Sequence, residues 1–405
     1  MKKVLLVFKD KKKITKNHEF WDDKLSLKFI VHKIFLTDFL HLTNLQIIKL
    51  INKKILTEKI DFTFFEGDHV DIIDETFLEL ITNDTIKGLF LGDDNEWHDV
   101  NKVNASKCDF VLTSCPISKL KYDEFGINSL FVPIEANGNI WKNYNLDKKI
   151  DILFFGREKK IRNNFFKKLE KKGIKIFKVD PYMEISNTSE KLAKLINQSK
   201  IVLNLSASKK SKRFWSRSKS YDYLYLFKGR ILMTSFCKTL CLTQYDPAAS
   251  LLFTKNELPQ FKNEDECAEL IKMYLSDETK LKNTAQKFYD KGQNYLDINY
   301  INKIQDFLIK VKKRNIVNSY IDIWYIGLHI KQIYRARYKN INLVTIVKQF
   351  VENFFLYKNK KKLNFLVYIF FSFLFFLRFL PFFPFKWIRS TLFSSRQTRG
   401  QKGNI

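Results

Sequence analysis

The sequence predicts an α/β protein built from two similar domains in series, followed by a helical extension. Three observations predict it. Short apolar runs alternate with helix-period stretches, which implies parallel strands covered by helices on both faces. The alternation lapses into a polar connection at 139–149 and then restarts. From residue 301 onward no strand-like run recurs. The 405 residues are too many for one ordinary domain and suit two plus an extension. The resulting division is 1–145, 146–300, a basic helical extension 301–360, an apolar segment 361–390 and a disordered tail 391–405.

In the first domain the strand-like runs are 3–8, 61–66, 88–92, 110–113 and 129–133, with helix-like stretches at 43–53 and 75–82. In the second, strands are expected at 150–155, 174–179, 201–205 and 240–243. Helices are expected at 161–172, 189–198, 221–228, 267–274 and 278–289. In the first of these helices Phe165, Phe166 and Leu169 share one face. By pattern alone, 227–245 reads as a helix end, a turn and a buried strand.

The net charge is +28, and residues 301–405 carry twenty Lys/Arg against three Asp/Glu. That basic block adjoins an almost wholly apolar run, 363–385, broken only by Arg378, Pro381 and Pro384. Lys358, Lys360, Lys361 and Lys362 precede it, and Lys386 and Arg389 follow. A membrane span needs about 20 apolar residues. A charge near the bilayer centre costs about 2.5–3.5 kcal/mol on insertion scales, and both prolines break a helix. The run is therefore predicted to lie in a membrane interface or re-enter it rather than span it. An anionic membrane surface is the partner this implies. A helix packed on the core is the soluble alternative. Nucleic acid is the competing partner for so basic a chain, but no RNP-type or helix-turn-helix signature is present.

The five cysteines (Cys108, Cys115, Cys237, Cys241 and Cys267) are odd in number, and their spacing fits no zinc framework. A reducing compartment and no metal site are expected. The apolar part of the N-terminus, Val4 to Phe8, is too short for a secretion signal. Together with the tail, this predicts a cytoplasmic protein, peripheral or monotopic on the inner face of the membrane.

Ligands of such sheets bind at the carboxyl ends of the strands, so chemistry is sought there. A strand ending at Gly92 delivers Asp93, Asp94, Trp97 and His98: carboxylates for a general base or for hydroxyls, and an indole to stack on a sugar. An acidic turn with a helix cap is the plain alternative. Asp68 and His69 end an earlier strand in the same way. Gly156 followed by Arg157, Lys159, Lys160 and Arg162 suits either a phosphate at a helix start or a plain turn with a solvated basic helix. Asn204 opens a loop with Lys209, Lys210, Lys212, Arg213, Arg217 and Lys219, either an anion site or a solvated loop.

In order and spacing, these pieces resemble one family. They are Gly92-Asp93-Asp94, the run 109–114 with Tyr122, Gly126 and Val132-Pro133, the run 151–156 with Arg162, and Lys228-Gly229-Arg230 through Tyr245 to Phe253. Over roughly residues 85–300 the chain resembles the spore-maturation-protein-like (CgeB-like) glycosyltransferases of GT-B fold. The resemblance implies two Rossmann-like domains facing a cleft. It also implies sugar transfer from a nucleotide-sugar held by the second domain, without a bound metal or other cofactor. Gly156, Arg157, Arg162, Lys212, Arg213, Gly229 and Arg230 are then expected at the donor's phosphates, and Asp93 or Asp94 as the base. Asp68, His69, Trp97 and His98 are expected at the acceptor sugar. The tail points to a lipid-linked or polysaccharide acceptor at the cytoplasmic membrane face. Two positions depart from the family. Met233 stands where it has the glutamate that holds the ribose, and Lys238 where it has a small glycine. They support the competing reading of a catalytically decayed membrane scaffold.

Overall fold

The computed structural model describes residues 1–8, 24–67, 73, 75–92, 94–133, 136–157, 160–180, 189–205 and 227–314, with isolated helical positions at 348–366. The side chains of 95–97, 99 and 100 are not among those described. The chain divides into two compact units, 1–320 and 321–405, and both sheets with their covering helices lie in the first.

The first sheet is wholly parallel, in the order β2-β1-β3-β4-β5-β6. The strands are Lys3–Phe8 (β1), Ile30–Phe35 (β2), Phe62–Glu66 (β3), Ile86–Leu91 (β4), Phe110–Thr113 (β5) and Asn128–Phe131 (β6). Val4, Leu5, Leu6 and Val7 are all buried, as befits a strand covered on both faces. β2 is an edge strand whose IVHKIF sequence mixes polar with apolar residues, so it gives no strand signal beforehand. The helix Asn44–Glu58 (α1) starts at a capping box between Thr43 and Gln46 and buries Ile47, Ile48, Ile51 and Ile55. Glu75–Glu79 (α2), Asp94–Ala105 (α3) and Pro116–Glu124 (α4) follow β3, β4 and β5.

The second sheet is also parallel, in the order β11-β10-β9-β7-β8. Its strands are Ile150–Phe155 (β7), Phe177–Val179 (β8), Ser199–Asn204 (β9), Leu240–Gln244 (β10) and Gln260–Phe261 (β11). The helices are Lys160–Glu170 (α5), Ser189–Asn197 (α6), Arg230–Phe236 (α7), Pro247–Ser250 (α8), Glu264–Ser276 (α9) and Glu278–Gly292 (α10). α7 corrects one expectation. Arg230 begins a helix where a turn was expected, and the strand follows at Leu240 as expected.

The last described helix, Asp297–Lys310 (α11), returns to the first domain. The Asp297 amide donates to the Ala136 carbonyl (3.1 Å), and the Tyr300 hydroxyl to the Phe131 carbonyl. Phe307 meets the Phe110 ring edge-on at 5.9 Å, and Ile304 and Leu308 join Val4, Leu6, Phe64 and Leu112 in one core. Arg314 then ties down the chain, its amide on Asp109 (2.8 Å) and its guanidinium on the Cys108 carbonyl (2.9 Å). The first ten residues of the expected 301–360 extension are thus the end of a helix that belongs to the folded body. Beyond Arg314 the extension, the apolar segment 361–390 and the tail 391–405 lie outside the described residues, apart from the isolated positions. Among the described residues no helix is long and apolar enough to cross a membrane.

Candidate functional site

In each sheet the earliest strand of the domain has the next strand on one side and the third on the other. This order, 2-1-3-4-5, places a ligand crevice beyond the carboxyl ends of the first and third strands, where the winding reverses. The crevices are therefore at β1/β3 in the first sheet and β7/β9 in the second.

At β7/β9 the chain turns through Gly156, whose φ of +148° is open to glycine and strained for any other residue. A Cβ there would also lie 2.6 Å from Arg230 Nη2. Arg230 enters from the first turn of α7. Its Nη1 donates to Asn204 Oδ1 (2.8 Å), and its guanidinium lies over the rings of Phe154 (4.9 Å) and Phe155 (5.1 Å). Asn204 in turn donates to Thr243 on β10 (2.8 Å). Three strand ends thus hold one cation at a fixed place, and Gly229 is the residue that caps its helix.

Arg162 takes a different task from the one expected. It is buried, donates to the carbonyls of Arg157 (2.9 Å) and Leu205 (3.2 Å), and stacks on Phe154 at 5.4 Å. Its charge braces the loop from inside, while Arg157, next to Gly156, is exposed.

The β4–α3 corner also differs from expectation. Asp94 is wholly buried and accepts from Asn101 (2.8 Å), Thr113 (2.8 Å) and Tyr122 (3.0 Å), with His98 Nδ1 3.9 Å away. Burial works to raise this carboxyl, but the nearby His98 and the donors Asn101 and Thr113 outweigh it and hold it below the usual range. Burial, and after it the same carboxylate, push the Tyr122 hydroxyl well above its usual value. Asp94 therefore locks α3 to β5 and α4 and offers no free oxygen to an acceptor. His98 is buried as well, its ring 4.7 Å from that of Tyr122, and neither ring nitrogen makes a hydrogen bond. Spacing alone cannot separate a reactive corner from a buried knot, because both place polar residues after a strand. Asp68, His69, Asp93, Lys212, Arg213 and the side chain of Trp97 lie outside the described residues.

Sequence reasoning did not single out Asp246, which follows β10. Its Oδ1 accepts from the Ala248 amide (2.9 Å), and its own amide donates to Gln260 Oε1 (3.0 Å). Its Oδ2 is buried without a hydrogen bond. Burial pushes this carboxyl up to about 7, against the pull of the Ala248 and Ala249 amides and of Lys228. An Asp-Pro at a strand end is a turn signal, and only the tertiary burial distinguishes it.

The segment 161–307 matches a family described as glycosyl transferase-like. The match supports a glycosyltransferase enzyme. No curated protein matches the chain. Among solved structures, a glycosyltransferase from Rickettsia africae superposes with a TM-score of 0.51 at 12% identity, covering 76% of this chain and 99% of its own. HepE of Anabaena, solved with UDP and glucose, gives 0.50 at 10% identity, covering 77% and 100%. Sucrose-phosphate synthase of Thermosynechococcus elongatus gives 0.50 at 9% identity, covering 76% and 98%. At such identities the likeness is one of fold, the two-sheet GT-B arrangement. Of the two positions expected to depart from the family pattern, Lys238 sits in the turn after α7, with φ +53°, just before the amino end of β10 and so away from the crevice. Met233 packs half-buried against the core one turn into α7. Among the described residues no cluster of His, Cys, Asp or Glu is arranged to hold a metal ion.

Proposed function

We propose that the glycosyltransferase binds a nucleotide-sugar in the β7/β9 crevice and passes the sugar to a lipid-linked or polysaccharide acceptor held by the first domain. The reading rests on Arg230, a cation fixed by Asn204 and two aromatic rings against a glycine turn, where a diphosphate would lie. Arg157 beside the turn, and Lys212 and Arg213 in the sequence after β9, add positive charge. Such charges, aimed at the leaving diphosphate, lower the barrier as negative charge develops there. Arg162 keeps the turn in shape. The transition state is oxocarbenium-like, and a carboxylate must take the acceptor's proton. With Asp94 committed to the buried network, its neighbour Asp93 is the carboxylate assigned that task, and Asp68 and His69, just beyond β3, the acceptor contacts. The spore-maturation-protein-like subfamily and a station on the inner membrane face, reached through the basic apolar tail, are part of the proposal.

The test is a thermal-shift series of the full chain against UDP-, GDP-, ADP- and CMP-sugars, with UDP-glucose first because HepE is solved with UDP and glucose. A ligand at a hundredfold excess over its Kd stabilises by about 2.7 kcal/mol. We expect a clear rise with one nucleotide and none in Arg230→Ala. No rise with any of them would replace this reading by the decayed scaffold, with Met233 as its cause.

A further inference from the structure

The β1/β3 crevice of the first sheet is not a mirror of the second. It holds a ≈ 40 Å³ pocket whose wall is almost entirely apolar. Leu6 and Phe8 of β1, Phe64 of β3 and Leu112 of β5 supply the sheet side. These are alternate residues of β1, β3 and β5, with Leu6 in register with Phe64 and, across β4, Leu112 in register with Phe90 and Glu66, so their side chains share one face. Ile304 of α11 closes the opposite side. Glu66, the last residue of β3 and only partly buried, is the single carboxylate of the lining.

Protein interiors leave few voids larger than a water molecule. This one lies where the winding of the sheet reverses, the place at which α/β folds bind ligands. Its chemistry excludes a bare sugar, because hydroxyls pressed against such a wall would lose their hydrogen bonds to water without replacement. A short apolar group attached to a hydroxylated head satisfies both parts. We infer that the pocket receives the first few carbons of the alkyl chain of an amphiphilic acceptor, next to its polar head, with Glu66 meeting a hydroxyl of that head. The inference rests on the transferase reading in one respect, that the first domain holds the acceptor. It narrows that reading by selecting a lipid-type acceptor over a polysaccharide.

The experiment is a calorimetric titration of the full chain with methyl, propyl, butyl and hexyl β-D-glucosides. Each buried methylene should tighten binding about fourfold. The pocket has room for about three such groups, taking 10–15 Å³ for each, so the gain should level off beyond butyl. Leu112→Trp fills the space from the sheet side and Ile304→Phe from the helix side. Either should abolish the dependence on chain length in a protein that still unfolds cooperatively, and the second serves if the first does not fold. Equal affinities from methyl to hexyl, in wild-type protein that responds to a nucleotide-sugar, would overturn the inference and leave the transferase reading intact. A chain-length dependence that survives both substitutions would overturn it too, by placing the apolar contact elsewhere. A chain-length dependence lost in the variants, in a chain that answers to no nucleotide-sugar, would uphold the pocket and remove the donor reading instead.

Discussion

Asp246→Asn should make the protein more stable at neutral and alkaline pH and remove a pH dependence that the wild type carries. The carboxyl is wholly buried, one oxygen makes no hydrogen bond, and burial lifts it from its ordinary 3.8 to about 7. The folded chain therefore holds a proton that the unfolded chain releases anywhere between those two values. Stability from this group is complete below 3.8 and is lost as pH rises towards and through 7. The full interval corresponds to roughly 4 kcal/mol at about 1.4 kcal/mol for each tenfold. Between about pH 5 and about pH 8 the loss should be about 2.5 kcal/mol. Asparagine retains the cap on the Ala248 amide but does not titrate. Urea unfolding of both proteins across this range, at constant ionic strength, measures the difference. The gap in favour of Asp246→Asn should widen steadily with pH. A gap that stays constant would refute the argument, and show that the carboxyl ionises in the fold at its ordinary value.

Gly156→Ala should abolish nucleotide-sugar binding and cost about 1–3 kcal/mol in thermal unfolding, since an alanine must take up φ +148° and displace Arg230. Asp94→Asn leaves Asn101, Thr113 and Tyr122 around a weaker and partly mismatched acceptor. A loss of about 2–4 kcal/mol is expected by urea unfolding, because the network is structural and buried. Gly88→Ala puts a methyl about 2.0 Å from the Phe110 ring, at the centre of the first sheet. An overpacking cost of about 1–3 kcal/mol or more should appear as a lower Tm, with nucleotide-sugar affinity unchanged in the folded fraction.

Much of the fold was legible in the sequence. Apolar runs such as KVLLVF and FVLT are long enough and apolar enough to be strands buried on both faces, and nothing in their context competes. Gly156 stood out as a glycine at a strand end, whereas Arg230 was expected at the crevice only through the family resemblance; the structure brings the two together. The edge strand Ile30–Phe35 was not legible, because one open side allows polar residues at any position. Nor was the end of the second domain. α11 overlaps the start of the expected helical extension, and only its docking on Phe110 and Phe131 shows that it belongs to the body.

By itself the sequence determined the class of fold, two parallel α/β domains, and the strand-end corners at which chemistry is sought. Periodicity and turn residues are local properties, so they survive in a linear text. The tertiary structure alone decided what each polar residue at those corners does. Asp94 and Arg162 are drawn inward by partners that are close in space, Asp94 by Tyr122 and Arg162 by Leu205, whereas Arg230 is held at the crevice by Asn204. The apolar pocket between Phe8, Glu66 and Ile304 joins residues almost 300 positions apart. Burial and pairing depend on the whole packing, and no window of the sequence contains that.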